Sequence, residues 1–252
     1  MKDTEHILRN FKLIGESPHE LPEAGHLFIN VPEDERENCI ITYASFNERY
    51  PRGLRRLVKI IGASDFRGHL YYRLGGWPNC ATGDLSLAYV PFAFKVCFFR
   101  EMQKLGYKRV LWLDSSILPF ANLNSIFERI QRDGFFVQAN SHSIGPYMNE
   151  ETAAAFGFSL QETFSIPSCS AAIIGIDFTH EKAASLIEEW YLAAKHPDAF
   201  YSPRSDQTAF SLLLYRKELS SLMTPLKTLG DPNNVCKETL FLMDRKYVKT
   251  QK

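Results

Sequence analysis

Short β-branched runs alternate with amphipathic helical patterns along this chain, and this alternation constrains its fold more than any other feature. Apolar residues stand in nearly unbroken blocks in the strand-like runs and recur every three to four positions in the helical ones. The pattern reads, in order, as strand 38–45, helix 54–62, strand 68–74, helix 91–106, strand 109–113, helix 122–132, strand 134–140, strand 171–176, helix 180–195 and helix 205–219. Because such alternation is typical of α/β proteins, we predict an α/β fold in which helices flank a mostly parallel central sheet.

The sequence predicts a simple domain organisation. Residues 1–36 form a polar N-terminal segment, and the apolar spacing within residues 7–14 is that of a short helix. Residues 37–252 carry the alternating pattern without an internal repeat or a low-complexity linker. A chain of this length can bury one sizeable core, so we expect these residues to form a single Rossmann-like domain.

Charge and cysteine content exclude several classes of protein. Lys plus Arg number 29 and Asp plus Glu number 29, so the formal net charge is zero and does not attract nucleic acid or an anionic membrane. The five cysteines are odd in number and show no CxxC spacing, which disfavours a zinc site or a disulfide framework. The N-terminal residues lack the apolar core of a signal peptide, and no run approaches the roughly 20 apolar residues of a membrane span. We therefore expect a cytoplasmic protein without a transmembrane segment that does not bind nucleic acid.

Asp114 is the sharpest candidate for a functional residue. Asp114, Ser115 and Ser116 follow directly after the apolar run at residues 110–113. Ligands of α/β sheets bind outside the carboxyl ends of the strands, so this carboxylate could hold a divalent cation or a ribose hydroxyl, or act as a base. The alternative is that Asp-Ser-Ser only forms the turn, for which these residues are well suited. We favour the ligand-binding role.

Two further charged residues lie on apolar faces of predicted helices. Lys95 lies among the apolar residues of helix 91–106. Its ammonium either extends to solvent at the edge of the apolar face or pairs with an anion. That anion is either a carboxylate of the protein or a phosphate of a ligand. Asp206 lies in the first turn of helix 205–219, where the helix dipole favours an acid in any case. With Gln207 it could instead direct acceptor and donor groups into a site.

Several polar residues near the later strands are weaker candidates. Ser168, Cys169 and Ser170 precede the strand at residues 171–176 and could line the mouth of a pocket, although a nucleophilic role for Cys169 is not supported by any neighbouring signature. His142 lies in a polar loop and could contact a ligand. The chain has no GxGxxG, Walker or HExxH motif. It therefore lacks the sequence signatures of dinucleotide-binding proteins, P-loop nucleoside triphosphatases and zincin metalloproteases.

The order of these segments resembles that of GT-A glycosyltransferases, the nucleotide-sugar enzymes that include the glycogenin-like family. The first strand ends in ITYAS, a helix begins with PFAFK, a strand runs into VLWLDSS, a later strand reads SAAIIGI and a final helix begins with SDQTAF. The corresponding pieces of the family are a nucleotide-binding strand, a Lys-bearing helix, a strand that ends in DxD, a small-residue strand and a DQ helix. The resemblance covers roughly residues 38–235 and implies a single GT-A-like domain at residues 37–252.

The resemblance implies a hexosyltransferase-like enzyme that moves a sugar from a nucleotide-diphosphate donor, with UDP as the expected nucleotide. The acceptor would be a glycan, a protein or a small molecule. Thr42 and Tyr43 would contact the nucleobase, and Lys95 would lie near the nucleotide or its phosphates. Asp114 would be the first acid of DxD, with Ser115 and Ser116 completing the donor turn.

The same resemblance implies roles on the side of the transferred sugar. Asp206 and Gln207 would lie by the sugar and the acceptor, with Asp206 as the base of an inverting enzyme. The acceptor or sugar pocket would be lined by Ser168, Cys169, Ser170 and His142. The charge of the leaving diphosphate must be offset, and the candidates are Lys95, Arg49, Arg73 and Arg204.

Two departures from the family pattern concern a metal ion. The second acid of DxD is Ser116 here, and residues 226–234 have the glycine of the family's HxxGxxK motif without its histidine. Hard cations such as Mn²⁺ and Mg²⁺ prefer several oxygen ligands that include carboxylates. Binding of Mn²⁺ or Mg²⁺ at Asp114 is therefore an expectation of the family that these departures weaken.

Two other functions stay open from the residues. The missing second acid is compatible with a catalytically weak or inactive protein that binds a nucleotide sugar or a glycan on the same scaffold. A nucleotidyltransferase also uses strand-terminal acids, but residues 46–56 contain one glycine where that class shows a glycine-rich loop.

Overall fold

The computed structural model describes residues 22, 24–45, 50–77, 85–196 and 198–245. The strands in this part of the chain are β1 (Ala24–Ile29), β2 (Asn38–Ala44), β3 (Gly68–Leu74), β4 (Arg109–Leu113), β5 (Ile117–Pro119), β6 (Phe135–Ser143), β7 (Pro167–Asp177), β8 (Leu229–Gly230) and β9 (Phe241–Met243). The helices are α1 (Tyr50–Gly62), α2 (Phe94–Lys104), α3 (Leu123–Asp133), α4 (Glu150–Ala155), α5 (Leu160–Thr163), α6 (Glu181–Lys195) and α7 (Ser205–Arg216). The short helix expected within residues 7–14 lies outside the described residues.

The strands form a six-stranded sheet in the order β1-β3-β2-β4-β7-β6 and a three-stranded sheet in the order β5-β9-β8. In the larger sheet β2 and β3 run parallel, and antiparallel pairs, β1 with β3 and β7 with β6, lie at its two edges. The predicted α/β fold with a mostly parallel central sheet flanked by helices is confirmed. None of the described helices is long and apolar enough to cross a membrane.

Contacts divide the chain into two compact units, and the first comprises Met1–Gly76, Leu111–Glu128 and Lys227–Lys252. Within it α1 packs against β2, β3 and β5. The helical spacing of Leu54, Leu57 and Ile61 explains this contact, since all three side chains lie on one face and are fully buried. β1 also belongs to this unit and lies in the segment interpreted from the sequence as a polar N-terminal segment.

The second unit comprises Trp77–Val110 and Arg129–Leu226. Here α7 packs against β7 and α6, and α6 packs against α2. The indole of Trp190 on α6 lies between two aromatic rings, with centroid distances of 6.4 Å to Phe99 and 4.8 Å to Phe210. Large apolar side chains from three helices thus form the core of this unit.

α2 begins later than the apolar pattern predicts. The pattern indicates a helix from residue 91, but the helix begins at Phe94 because Phe92 has a φ of +64°, outside the right-handed helical region. At the other end the predicted C-terminal stop is present, since Gly106 has a φ of +87° that favours glycine.

Candidate functional site

In the first unit, Asp114 follows the fully buried strand β4 and is held in a defined orientation. The indole Nε1–H of Trp112 donates a hydrogen bond to Asp114 Oδ1 at 2.7 Å. The backbone N–H of Ile117 donates to the carbonyl oxygen of Asp114 at 2.8 Å, which closes a turn over residues 114–117. Asp114 therefore has the turn role that the sequence offered as one alternative, and the ligand-binding role of its carboxylate stays a prediction.

The turn after β4 brings a second carboxylate to Ser116. Ser115 and Ser116 are both buried. The backbone N–H of Asp244 donates to the carbonyl oxygen of Ser116 at 2.9 Å, because β5 and β9 pair antiparallel with Ile117 opposite Met243. Asp244 follows a strand of three residues, a signal too short for the sequence to single it out. The carboxylate of Asp244 is already engaged, since its Oδ2 lies 2.9 Å from a guanidinium nitrogen of the buried Arg56.

A cavity of about 740 Å³ lies beside this carboxylate. It is lined by residues 229–234 and 243–245, all of which belong to the first unit. Its polar groups include the side chains of Asp231, Asn233, Asn234 and Asp244. The volume falls within the range of roughly 300–1,000 Å³ that is usual for small-molecule sites.

The ends of β2 and β3 carry the residues predicted to contact a nucleobase. Thr42 is fully buried, and its hydroxyl has no hydrogen-bond partner among the described residues. Tyr43 is half-buried, and burial raises the pKa of its phenol. The parallel register places Tyr43 opposite Arg73, so the two side chains lie on one face of the sheet, whereas Thr42 lies on the other. Arg73 Nε is buried and also lacks a partner among the described residues.

In the second unit, Lys95 and Asp206 form a buried ion pair. Lys95 Nζ lies 2.7 Å from Asp206 Oδ2 and donates a hydrogen bond to the carbonyl oxygen of Ala171 on β7 at 2.9 Å. Of the two anions that the sequence left open for Lys95, the structure contains the partner carboxylate. Asp206 Oδ1 has no hydrogen-bond partner among the described residues.

Ser168 is the centre of a polar cluster on β6, β7 and α7. Its Oγ accepts hydrogen bonds from Gln207 Nε2 at 2.9 Å and from Asn140 Nδ2 at 3.1 Å. Asn140 also donates to the carbonyl oxygen of Cys169 at 2.6 Å. Sequence reasoning singled out Ser168 and Gln207 but missed Asn140, because a lone Asn near the end of a strand carries no distinctive pattern.

Cys169 and Ser170 lie inside β7 rather than in a loop before it. The Cys169 backbone N–H donates to Ser211 Oγ at 2.9 Å, and burial raises the pKa of the Cys169 thiol to about 12. Burial and a raised pKa both argue against a nucleophilic role for this thiol. Ser170 is buried, and its Oγ accepts from the backbone N–H of Ala172 at 3.3 Å.

His142 lies near the end of β6 and is held by Tyr147 and Arg204. The guanidinium of Arg204 lies 3.7 Å from the ring centroid of Tyr147 and 3.3 Å from His142 Nε2. The two rings meet edge to face, with centroids 5.1 Å apart. Burial, and then the neighbouring Arg204, lower the pKa of His142. Arg49, another predicted cation, lies outside the described residues.

The side chains around Asp114 that could ligate a metal ion do not form a metal site from protein ligands alone. Ser116 supplies a hydroxyl in place of the second acid, and the carboxylate of Asp244 is engaged by Arg56. Across residues 24–45, 50–77, 85–196 and 198–245, no group of three or more His, Cys, Asp or Glu side chains is placed to hold a metal ion. Binding of Mn²⁺ or Mg²⁺ stays a prediction of the family resemblance.

Comparisons with known proteins find similarity among solved structures and not among family models or curated proteins. No protein-family model matches the chain, and no curated protein matches it either. Among solved structures the chain is similar to that of the mannosyltransferase Ktr4p from S. cerevisiae, with 12% sequence identity and a TM-score of 0.40. The alignment covers 89% of this chain and 79% of that chain. Similarity at this level does not transfer activity from one protein to another.

Proposed function

We propose that this chain is a glycosyltransferase that moves a sugar from a nucleotide-diphosphate donor, with UDP as the nucleotide, to an acceptor hydroxyl. The order of its five sequence motifs supports this function. The observation that carries the proposal is the fixed orientation of Asp114 at the end of β4, through the 2.7 Å hydrogen bond from Trp112. A carboxylate held in one orientation at the carboxyl end of a sheet strand is suited to bind a ribose hydroxyl or a cation that accompanies a diphosphate.

Two features of the first unit support nucleotide binding there. Tyr43 and Arg73 lie on one face of the sheet, so a ring that can stack on a base is next to a guanidinium that can pair with a phosphate. The cavity beside Asp244 has the volume of a small-molecule site and adjoins the turn that contains Ser116 through the Asp244–Ser116 backbone hydrogen bond.

The ion pair of the second unit supports the role proposed for Asp206. Cleavage of a glycosyl donor passes through a cationic transition state at the sugar, and an inverting transfer needs a base for the acceptor hydroxyl. Lys95 holds one oxygen of Asp206, which fixes the carboxylate and leaves Oδ1 to accept the proton of the acceptor hydroxyl. Gln207, fixed by Ser168, would hydrogen-bond the sugar or acceptor beside it.

A second candidate function is a non-catalytic nucleotide-sugar or glycan-binding protein. The observation that favours it is the substitution of Ser116 for the second acid, together with the engagement of the neighbouring Asp244 carboxylate by Arg56. Such a protein would bind the donor at the same residues and would neither hydrolyse nor transfer it. Turnover therefore separates the two candidates.

The proposal is tested by thermal unfolding of the protein with UDP-, GDP-, CMP- and ADP-sugars, each with and without Mn²⁺. We expect a UDP-sugar to raise the melting temperature, because a ligand that binds only the folded state stabilises it. Asp114→Asn should abolish most of that rise. The matched control is Asp133→Asn, which alters an exposed carboxylate paired with its neighbour Arg132, and it should leave the rise intact. A protein that responds to none of the donors would contradict the proposal.

A further inference from the structure

Phe92 combines a strained backbone with an exposed ring. Its φ of +64° lies in the left-handed region, which a bulky side chain rarely occupies. Nevertheless 44% of the residue is exposed to solvent, so burial of the ring does not offset the strain. The conformation is held on both sides, because Ser205 Oγ donates to the carbonyl oxygen of Pro91 at 3.1 Å and the Lys95 N–H donates to that of Phe92 at 3.1 Å.

The ring of Phe92 lies beside groups that can bind hydroxyls. Its centroid is 6.0 Å from Lys95 Nζ, which in turn lies 2.7 Å from Asp206. Asp206 Oδ1 and the carbonyl oxygen of the Gln207 side chain have no hydrogen-bond partner among the described residues. An exposed aromatic ring thus lies near the Lys95–Asp206 pair, and the next residue of that helix, Gln207, carries an amide oxygen, all within the second unit.

This combination suits one class of ligand. A pyranose has an apolar face of C–H groups that packs on an aromatic ring, and a rim of hydroxyls that donate hydrogen bonds to carboxylate and amide oxygens. A purely apolar ligand would leave both oxygens without partners, which is costly once they are desolvated. Asp206 and Lys95 are neutral as a pair, so they offer no net positive charge to a phosphorylated ligand.

We propose that Phe92 is a stacking residue for a sugar ring of the acceptor, and hence that the acceptor is a carbohydrate. This inference rests on the proposed function and makes its acceptor class specific. The strained backbone of residue 92 keeps the ring in position before the sugar arrives. Phe92 acts on binding and orientation, and it takes no part in proton transfer.

The test uses methyl glycosides of glucose, mannose, galactose and N-acetylglucosamine as probes, with sorbitol as a polyol without a ring. Binding to the full chain is measured by NMR titration. The variants are Phe92→Tyr, which keeps a ring, and Phe92→Gly, which removes the ring and relieves the strain at positive φ, so that it folds. The matched control is Tyr215→Ala, since Tyr215 is 41% exposed and lies about 13 Å from Asp206 along the same helix.

We expect wild type, Phe92→Tyr and Tyr215→Ala to bind at least one glycoside equally well, and Phe92→Gly to bind it about fivefold or more weakly. Sorbitol should bind to none of them. The shift in melting temperature with the nucleotide sugar should be the same in all four proteins. Equal glycoside binding by wild type and Phe92→Gly, or no glycoside binding by wild type, would overturn the inference. A shift in melting temperature with the nucleotide sugar would in that case still support the proposed function. Glycoside binding through Phe92 without a response to any nucleotide sugar would contradict the proposed function and keep Phe92 as a residue that stacks on sugars.

Discussion

Lys95 and Asp206 form an ion pair in which both partners are removed from water. The distance from Lys95 Nζ to Asp206 Oδ2 is 2.7 Å, and only 6% and 8% of the two side chains are exposed. Taking two charges out of water is costly, and their attraction offsets that cost only while both are present. The pair therefore makes the stability of α2 and α7 interdependent.

Removal of one partner should destabilise the protein strongly. Lys95→Met leaves the buried carboxylate of Asp206 without its cation, which we expect to lower the free energy of unfolding by about 3–5 kcal/mol. The double variant Lys95→Met/Asp206→Asn should recover a large part of this loss. Urea denaturation of the two single variants and the double variant measures the coupling. Additive effects of the two substitutions would contradict a specific pair, and Arg132→Gln, at an exposed pair, should change the stability little.

The hydrogen bond from Trp112 to Asp114 should matter for donor binding. Trp112→Phe keeps an aromatic ring and removes the indole N–H, so the carboxylate loses the hydrogen bond that orients its Oδ1. Since hydrogen bonds to charged groups contribute about 1.5–3 kcal/mol, we expect donor affinity to fall about tenfold or more. The control is Trp190→Phe, because Trp190 is buried and its Nε1–H has no partner among the described residues. Calorimetric titration with the donor found by thermal unfolding measures both, and equal affinities of the two variants would count against the orienting role.

The strand-terminal position of Asp114 was predictable from the sequence, whereas the orientation of its carboxylate was not. An apolar run that breaks into Asp-Ser-Ser indicates a buried strand and its end, which local pattern alone determines. Lys95 and Asp206 were each recognisable as charges on apolar faces. Their pairing depends on how α2 and α7 pack, and no local pattern encodes a contact between residues so far apart in the chain.

The predicted start of β7 differs from the observed one for a physical reason that lies in tertiary structure. β7 extends back to Pro167, so Ser168, Cys169 and Ser170 lie within the strand rather than before it. Their polar groups are accommodated because Asn140, Gln207 and Ser211 supply hydrogen bonds from β6 and α7. The sequence gives no sign of these distant partners, so the strand is predicted to begin only at residue 171, where the unbroken apolar run begins.

His26 should make the stability of the protein depend on pH. Burial, followed by the neighbouring His69 and Arg36, lowers the pKa of His26 from 6.5 to about 4. His69 Nε2 faces the carbonyl oxygen of Pro32 at 3.1 Å and so carries the proton, which leaves its Nδ1 to accept from His26 Nε2 at 3.1 Å.

As the pH falls from about 6.5 to about 4, the unfolded chain binds a proton at His26 that the folded chain does not. Stability is therefore lost through this window as the pH falls. Melting temperatures of wild type and His26→Gln across the window measure the effect, and the variant should show the shallower dependence. Parallel pH profiles would refute the prediction.

The described cysteines should differ sharply in reactivity. Cys236 is exposed, whereas Cys39, Cys97 and Cys169 are buried, and burial raises the pKa of Cys169 to about 12. Only the thiolate reacts, so iodoacetamide at pH 8 should modify Cys236 and spare these three in the native protein. Mass mapping of native and urea-unfolded samples measures the pattern, in which unfolding makes all of them reactive. Native labelling of Cys169 would show that β7 is open to solvent.

Release of the nucleoside diphosphate from a nucleotide sugar tests the central claim most directly. Purified protein is incubated with each donor in turn, without an acceptor and with the methyl glycosides, and the nucleotide and sugar products are quantified. We predict that UDP is released from a UDP-sugar, that a glycoside increases the rate, and that Asp206→Asn, assayed at a temperature at which the variant is folded, lowers the rate about a hundredfold or more. A folded protein that binds the donor and returns it unchanged under all these conditions would contradict a glycosyltransferase and leave a nucleotide-sugar-binding protein in its place.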